Sequence, residues 1–142
     1  RELSFQKAIC ERVKAEVEGA SRQFINYNFG TMIEIHRAAL TDDRMARAAE
    51  FFSFGTNDLT QMTLGFSRDD GGTFMGEYLG NKILDADPFQ TIDTKSVGKL
   101  VETGIQGGRS MRPDLKCGVC GEHGGDPDSI RFFNQIGVDY VS

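Results

Sequence analysis

The chain has 142 residues, 39% of them hydrophobic and 26% charged, with eleven Phe and no Trp, enough for one compact domain with a packed interior. A net charge of −5 leaves no basic stripe to displace counterions, which argues against a nucleic-acid surface. No apolar run nears the roughly 20 residues of a membrane helix, and residues 1–20 are charged and amphipathic rather than signal-like. Three cysteines, an odd number, speak against a disulfide scaffold and for a reducing, cytoplasm-like compartment. The first residue is Arg rather than Met, as expected of part of a longer chain.

In chain order, Leu3 to Glu18 sets Phe5, Ile9, Val13 and Val17 four apart on one stripe, the spacing of an amphipathic helix. "FINYNFGTMIEI" reads as a strand. Thr41 offers an N-cap with Asp42 and Asp43 in the first turn, opening a short Ala-rich helix to about Ala49. "FFSFG" is a buried strand and "TNDLTQMTLGF" the helix after it. Residues 67–93, with "RDDGG" and "DADPF", read as an excursion of loops and turns. Thr94 to Gln106 is helical, with Val97, Leu100, Val101 and Ile105 inward. "LKCGVC" is a strand, Asp126-Pro127 caps a helix over "SIRFFNQIG", and "VDYVS" begins one more strand. There is no internal repeat and no low-complexity linker.

Strands alternating with helices predict an α/β fold of parallel βαβ units. A closed (β/α)₈ TIM-type barrel takes about 250 residues, so this chain corresponds to about half of one. A doubly wound open sheet is the alternative, and periodicity does not separate the two.

In both folds ligands bind beyond the carboxyl ends of the strands. The first strand delivers Glu34 there, the second Gly55, Thr56, Asn57 and Asp58, and the third Cys120 followed by Gly121, Glu122 and His123. Glu34 and Asp58 suit Mg²⁺, which takes one or two carboxylates with substrate oxygens and waters filling the remaining positions. Alone, either would be an ordinary solvated acid; on adjacent strand ends they form a pair. Asn57 and the amides around Gly55 suit an oxyanion or carboxylate, a role compatible with a capped strand-to-helix turn.

The stretch "KCGVCGEHGGDP" admits three readings. Cys117, Cys120 and His123 give three soft ligands where a closed zinc site takes four. A thioredoxin-type pair sets its C-x-x-C at a helix start, whereas Cys117 falls inside the strand pattern. Cys117 is therefore expected buried and inert. Cys120 falls at the strand end, where a thiol near His123 and a helix N-terminus is a candidate acid/base.

At these residues the sequence closely resembles the pyruvate, phosphate dikinase family, in its C-terminal phosphoenolpyruvate/pyruvate-binding barrel. "GTMIEIHRAAL", "FFSFGTNDLTQMTLGFSRDD" and "LKCGVCGEHGGDP" resemble that family's signature blocks, in order, and the likeness spans essentially residues 1–142. Phosphoenolpyruvate synthase and the phosphotransferase-system enzyme I share the barrel and "GTNDL", but "CGEHGGDP" is more similar to the dikinases. The resemblance implies a partial barrel, roughly the C-terminal half, of an ATP-binding transferase. Such enzymes interconvert ATP, phosphate and pyruvate with AMP, pyrophosphate and phosphoenolpyruvate. It further implies that Glu34 and Asp58 hold Mg²⁺, that Gly55, Thr56 and Asn57 contact pyruvate or phosphoenolpyruvate together with them, and that Cys120 is the proton donor at the enolate methylene. The implied partners are a phosphohistidine domain on the same parent chain and a second copy in a homodimer. The implied compartment is the cytoplasm, or a plastid or glycosome in a eukaryote. One departure is His36, where the family usually has Pro; loss of a fixed φ beside a metal ligand is expected to loosen the loop. A half-barrel kept only for interaction is the rival reading, and the isolated segment is expected to be inactive.

Overall fold

The computed structural model describes residues 1–142. Four parallel strands form one sheet: β1 (Thr31–Ile33), β2 (Phe51–Phe54), β3 (Lys116–Val119) and β4 (Tyr140–Val141), in the spatial order β1-β2-β3-β4. The helices are α1 (Glu2–Ser21), α2 (His36–Ala39), α3 (Asp42–Met45), α4 (Thr56–Leu64), α5 (Met75–Gly80), α6 (Val97–Met111) and α7 (Pro127–Gln135). A doubly wound sheet reverses strand order at its switch point, whereas a barrel adds each strand beside the last. The strictly sequential order therefore matches part of a (β/α)₈ barrel.

Strand alternation sorts the side chains onto two faces. Ile33, Phe52, Phe54, Cys117 and Val119 lie on one and are buried. They meet the helical layer, above all α6, whose Val97, Val101 and Ile105 recur at four-residue intervals and are buried with them. Phe52, Phe54 and Phe133 are fully enclosed, each worth about 1.5–3 kcal/mol of burial. The other face carries Met32, Ser53, Gly118 and Tyr140 in register. It is the face a closed barrel turns inward.

The helix after β3 begins as its sequence dictates. The Asp126 carboxylate accepts from the Ser129 N–H at 2.9 Å, and Pro127 occupies the first helical position, where its missing N–H would have had no partner.

In α1 no residue is buried, and Phe5, Val13 and Val17 are exposed; the stripe has no element against it, and only Leu3 packs on the core. Three expectations are corrected. The first strand is confined to Thr31–Ile33, because its partner β2 spans only Phe51–Phe54 and "FINYNF" runs ahead of it. Thr41 does not cap α3; its hydroxyl donates to the Arg37 carbonyl instead. The 67–93 excursion is not all loop, since Phe66, Phe74 and Tyr78 stack edge-on with centroids 5.0–5.9 Å apart and stabilise α5 beneath them.

Candidate functional site

The carboxyl ends of β1, β2 and β3 hold the predicted residues side by side. Backbone bonds continue past each strand: the Gly55 N–H donates to the Ile33 carbonyl and the Cys120 N–H to the Phe54 carbonyl, both at 3.1 Å. Glu34, Gly55 and Cys120 thus stand one layer above Met32, Ser53 and Gly118, on the same face. The Cys120 sulfur is 3.8 Å from the Met32 sulfur and 3.7 Å from the Phe54 carbonyl oxygen. A Cβ on Gly55 would sit 2.8 Å from both Cβ and Oε2 of Glu34, so only glycine leaves room for that carboxylate along the strand end.

Beyond Gly55 the chain turns directly into α4, putting Thr56, Asn57 and Asp58 in its first turn. Here free N–H groups and the positive end of the helix dipole favour negative charge. Thr56 is fully buried, and its side chain turns away from the mouth to hydrogen-bond Nδ1 of His123 at 2.7 Å. Asn57 Oδ1 accepts from the Glu122 N–H at 3.1 Å, which leaves its amide NH₂ as a donor. Asp58 is exposed, and its Oδ1 accepts from the Gln61 side-chain amide at 3.1 Å.

His123 is not placed as a proton partner for the thiol. It is fully buried, and Nε2 lies 2.8 Å from the Pro88 carbonyl oxygen. A carbonyl only accepts, so Nε2 carries the hydrogen and Nδ1 accepts from the Thr56 hydroxyl. Burial pushes the His123 pKa down, against the opposing pull of the Pro88 carbonyl and of Asp126, Glu122 and Asp87. A neutral, doubly bonded imidazole is a structural tie. Gly121 shares this arrangement, because a Cβ there would lie 2.0 Å from the Thr56 hydroxyl oxygen.

The two cysteines of the C-x-x-C differ as expected. Cys117 is fully buried and its thiol is pushed up to about 11, chiefly by desolvation; Cys120 is exposed. His36 occupies the first position of α2, where Pro is well tolerated. Its Nε2 lies 2.9 Å from the Thr63 hydroxyl, so a tether to α4 stands where Pro would fix φ.

No cluster of three or more His, Cys, Asp or Glu side chains gathers here. The donor set at the mouth, Glu34 just past the end of β1 and Asp58 in the first turn of α4, fits a hard cation that takes its remaining oxygens from substrate and water. It does not fit zinc, since Cys117 is enclosed and both nitrogens of His123 are engaged.

The family model of the PEP-utilising enzyme, PEP-binding domain, matches residues 1–142. The chain belongs to that family. Among curated relatives it is 54% identical over 142 residues to the pyruvate, phosphate dikinase of Clostridium symbiosum. It is 53% identical to the chloroplastic enzyme of Mesembryanthemum crystallinum and 54% to pyruvate, phosphate dikinase 2 of Zea mays. All of this chain is aligned in each case, but only 15–16% of each relative. The segment of this PEP-utilising family member is an α/β, partial TIM-type barrel, and no helix in it is long and apolar enough to cross a membrane.

Sequence reasoning missed Gln61, Arg68 and the tie formed by His123. Gln61 was findable, since Asp58 and Gln61 stand three apart at the start of a predicted helix and so share a face. Arg68 carried no local signal.

Proposed function

We propose that this chain is the pyruvate/phosphoenolpyruvate-binding segment of a pyruvate, phosphate dikinase, which interconverts ATP, phosphate and pyruvate with AMP, pyrophosphate and phosphoenolpyruvate. The observation that carries the reading is the meeting of Glu34, the Gly55–Asp58 turn and Cys120 on one face at three adjacent strand ends. Glu34 and Asp58 hold Mg²⁺, which when bound supplies Lewis-acid stabilisation of enolate charge. The Asn57 amide and the Thr56 N–H orient the substrate carboxylate at the helix start, and Gly55, whose own N–H is committed to the Ile33 carbonyl, meets the substrate by leaving the strand end open beside Glu34. Thr56 acts through its backbone, its hydroxyl being committed to His123.

Cys120 faces the methyl carbon. Toward phosphoenolpyruvate, its thiolate takes a methyl proton and the C–H electrons form the enolate double bond. The enolate oxygen then bonds to the phosphorus of a phosphohistidine as the P–N bond breaks. In reverse, the Cys120 thiol returns the proton to the methylene. The phosphohistidine belongs to another domain of the same parent chain, the parent is a homodimer, and its compartment is the cytoplasm or a plastid.

The test is Glu34→Gln and Asp58→Asn in the full-length protein carrying this sequence. Each should abolish the pyruvate half-reaction while ATP and phosphate continue to phosphorylate the histidine. Loss of both half-reactions together overturns a dedicated role at this mouth.

A further inference from the structure

Four hydrogen bonds close a circuit around the site mouth. The Gln61 amide donates to Asp58 Oδ1 at 3.1 Å, and its carbonyl oxygen accepts from the Arg68 backbone N–H at 2.7 Å. The Arg68 guanidinium reaches across to Glu122 at 2.8 Å, and the Glu122 N–H donates to Asn57 at 3.1 Å. Asn57 is covalently joined to Asp58, so the ring returns to its start. It links the turn after β2 to the turn after β3, fifty-four residues apart where Arg68 meets Glu122.

The stability it provides does not account for it. Arg68 and Glu122 are both exposed, and an exposed ion pair contributes about 0–1 kcal/mol. Its geometric effect is larger. With its carbonyl oxygen held by the Arg68 N–H, the Gln61 amide presents its NH₂ to Asp58. Oδ1 of Asp58 is thereby engaged, and Oδ2 is the oxygen left for a cation. The other arm ties the Cys120–Glu122 turn to the α4 start, so thiol and carboxylate are held by one frame.

We propose that Gln61 and Arg68 are positioning residues: Gln61 fixes which Asp58 oxygen faces the cation, and Arg68 couples that carboxylate to the thiol-bearing turn through Glu122. The inference rests on the reading of the site given above. Partners of metal-binding groups typically change metal affinity about 10–100-fold when removed, and that range is expected for Gln61.

The experiment measures Mg²⁺-dependent oxalate binding by calorimetry, and pyruvate methyl-proton exchange, in the full-length protein. Gln61→Ala should weaken Mg²⁺ binding about 10–100-fold with its melting temperature unchanged. Gln61→Glu should do no better, because its carboxylate does not donate and repels Asp58. Arg68→Met and Glu122→Ala each keep the backbone bonds and remove only the ion pair. Each should slow exchange several-fold, and the double variant no further than either single one. Gln61→Ala with Mg²⁺ affinity within about twofold of the parent, against a second-sphere expectation of tenfold or more, overturns the Gln61 role if Asp58→Asn abolishes binding. Additive losses in the double variant overturn the coupling. If Asp58→Asn also leaves binding intact, the cation site itself is wrong and this inference goes with it.

Discussion

The Thr56 hydroxyl and Nδ1 of His123 lie 2.7 Å apart, wholly buried, and the other ring nitrogen is held by the Pro88 carbonyl. Three segments distant in sequence are fastened by one neutral imidazole: the start of α4, the turn carrying Cys120, and the 67–93 excursion.

This fastening predicts an acid-sensitive fold. Burial lowers the His123 pKa below its ordinary 6.5, so the unfolded chain takes up a proton that the native chain resists. Between that folded pKa and 6.5, protons bind the unfolded state more. Stability from His123 is therefore complete above about pH 6.5 and falls as pH drops toward the folded value. His123→Gln, which still accepts from Thr56 and donates to Pro88, should flatten that dependence between pH 7.5 and 5.5. Urea melts at both values check it, and identical pH slopes for parent and variant would refute it.

The two block cysteines should separate in chemistry. At pH 8 a thiol near pKa 11 is roughly one part in a thousand thiolate, and the buried Cys117 is shielded as well. Iodoacetamide should therefore label Cys120 in the native protein and spare Cys117. Cys120→Ala should reduce pyruvate methyl-proton exchange by at least about 10²-fold with the fold intact. Cys117→Ala should leave exchange near the parent level and lose about 1 kcal/mol of packing. Equal sensitivity of both would revive the redox-pair reading.

What the sequence disclosed, and what it withheld, follows the range of the interactions. β2, β3, α6 and the Asp126-Pro127 start of α7 are written in local pattern: apolar runs, four-residue spacing, a cap beside a proline. The strand ends gave Glu34, Gly55–Asp58 and Cys120 because a parallel sheet determines which positions emerge at its mouth. The failures are tertiary. "FINYNF" has strand composition but runs ahead of β2, which begins at Phe51, and Phe29 instead exchanges bonds with Glu50 through backbone and carboxylate. α5 depends on Phe66 closing over Phe74 and Tyr78. His123 stands near the thiol in sequence, yet Thr56 and Pro88, distant in the chain, determine its role.

Asp42 is a carboxylate out of place, and removing its charge should stabilise the protein. It is buried against Gly107 of α6, Oδ1 accepts from the Asp43 N–H, and Oδ2 has no partner. Desolvation raises its pKa above 3.8, so the native state binds a proton more tightly than the unfolded chain. Stability then declines as pH rises from about 3.8 through the folded value. Asp42→Asn should accordingly gain about 1 kcal/mol at pH 7, the low end for an unsatisfied buried acceptor, and gain little near pH 4. Melts of parent and variant at both values decide it; a less stable variant at pH 7 means the helix start needs the charge.

Residues 1–142 in isolation should make a poor domain. β1 pairs only with β2 and β4 only with β3, so each outer edge offers unpaired backbone groups to another chain. The face that a closed barrel would fill carries Met32 at 41% and Tyr140 at 42% exposure, beside the Cys120 thiol. Outside the sheet, Phe5 and Phe24 reach 65% and 81%, and α1 has no buried residue to hold it down. Exposed apolar surface and open strand edges together favour association over a stable monomer. The purified segment should aggregate, or form dimers through its strand edges, and bind Mg²⁺-oxalate weakly or not at all, as sedimentation and calorimetry would register. A sharp, reversible monomeric melt with tight oxalate binding would mean that these four strands suffice for a complete fold, and that the half-barrel assignment is wrong.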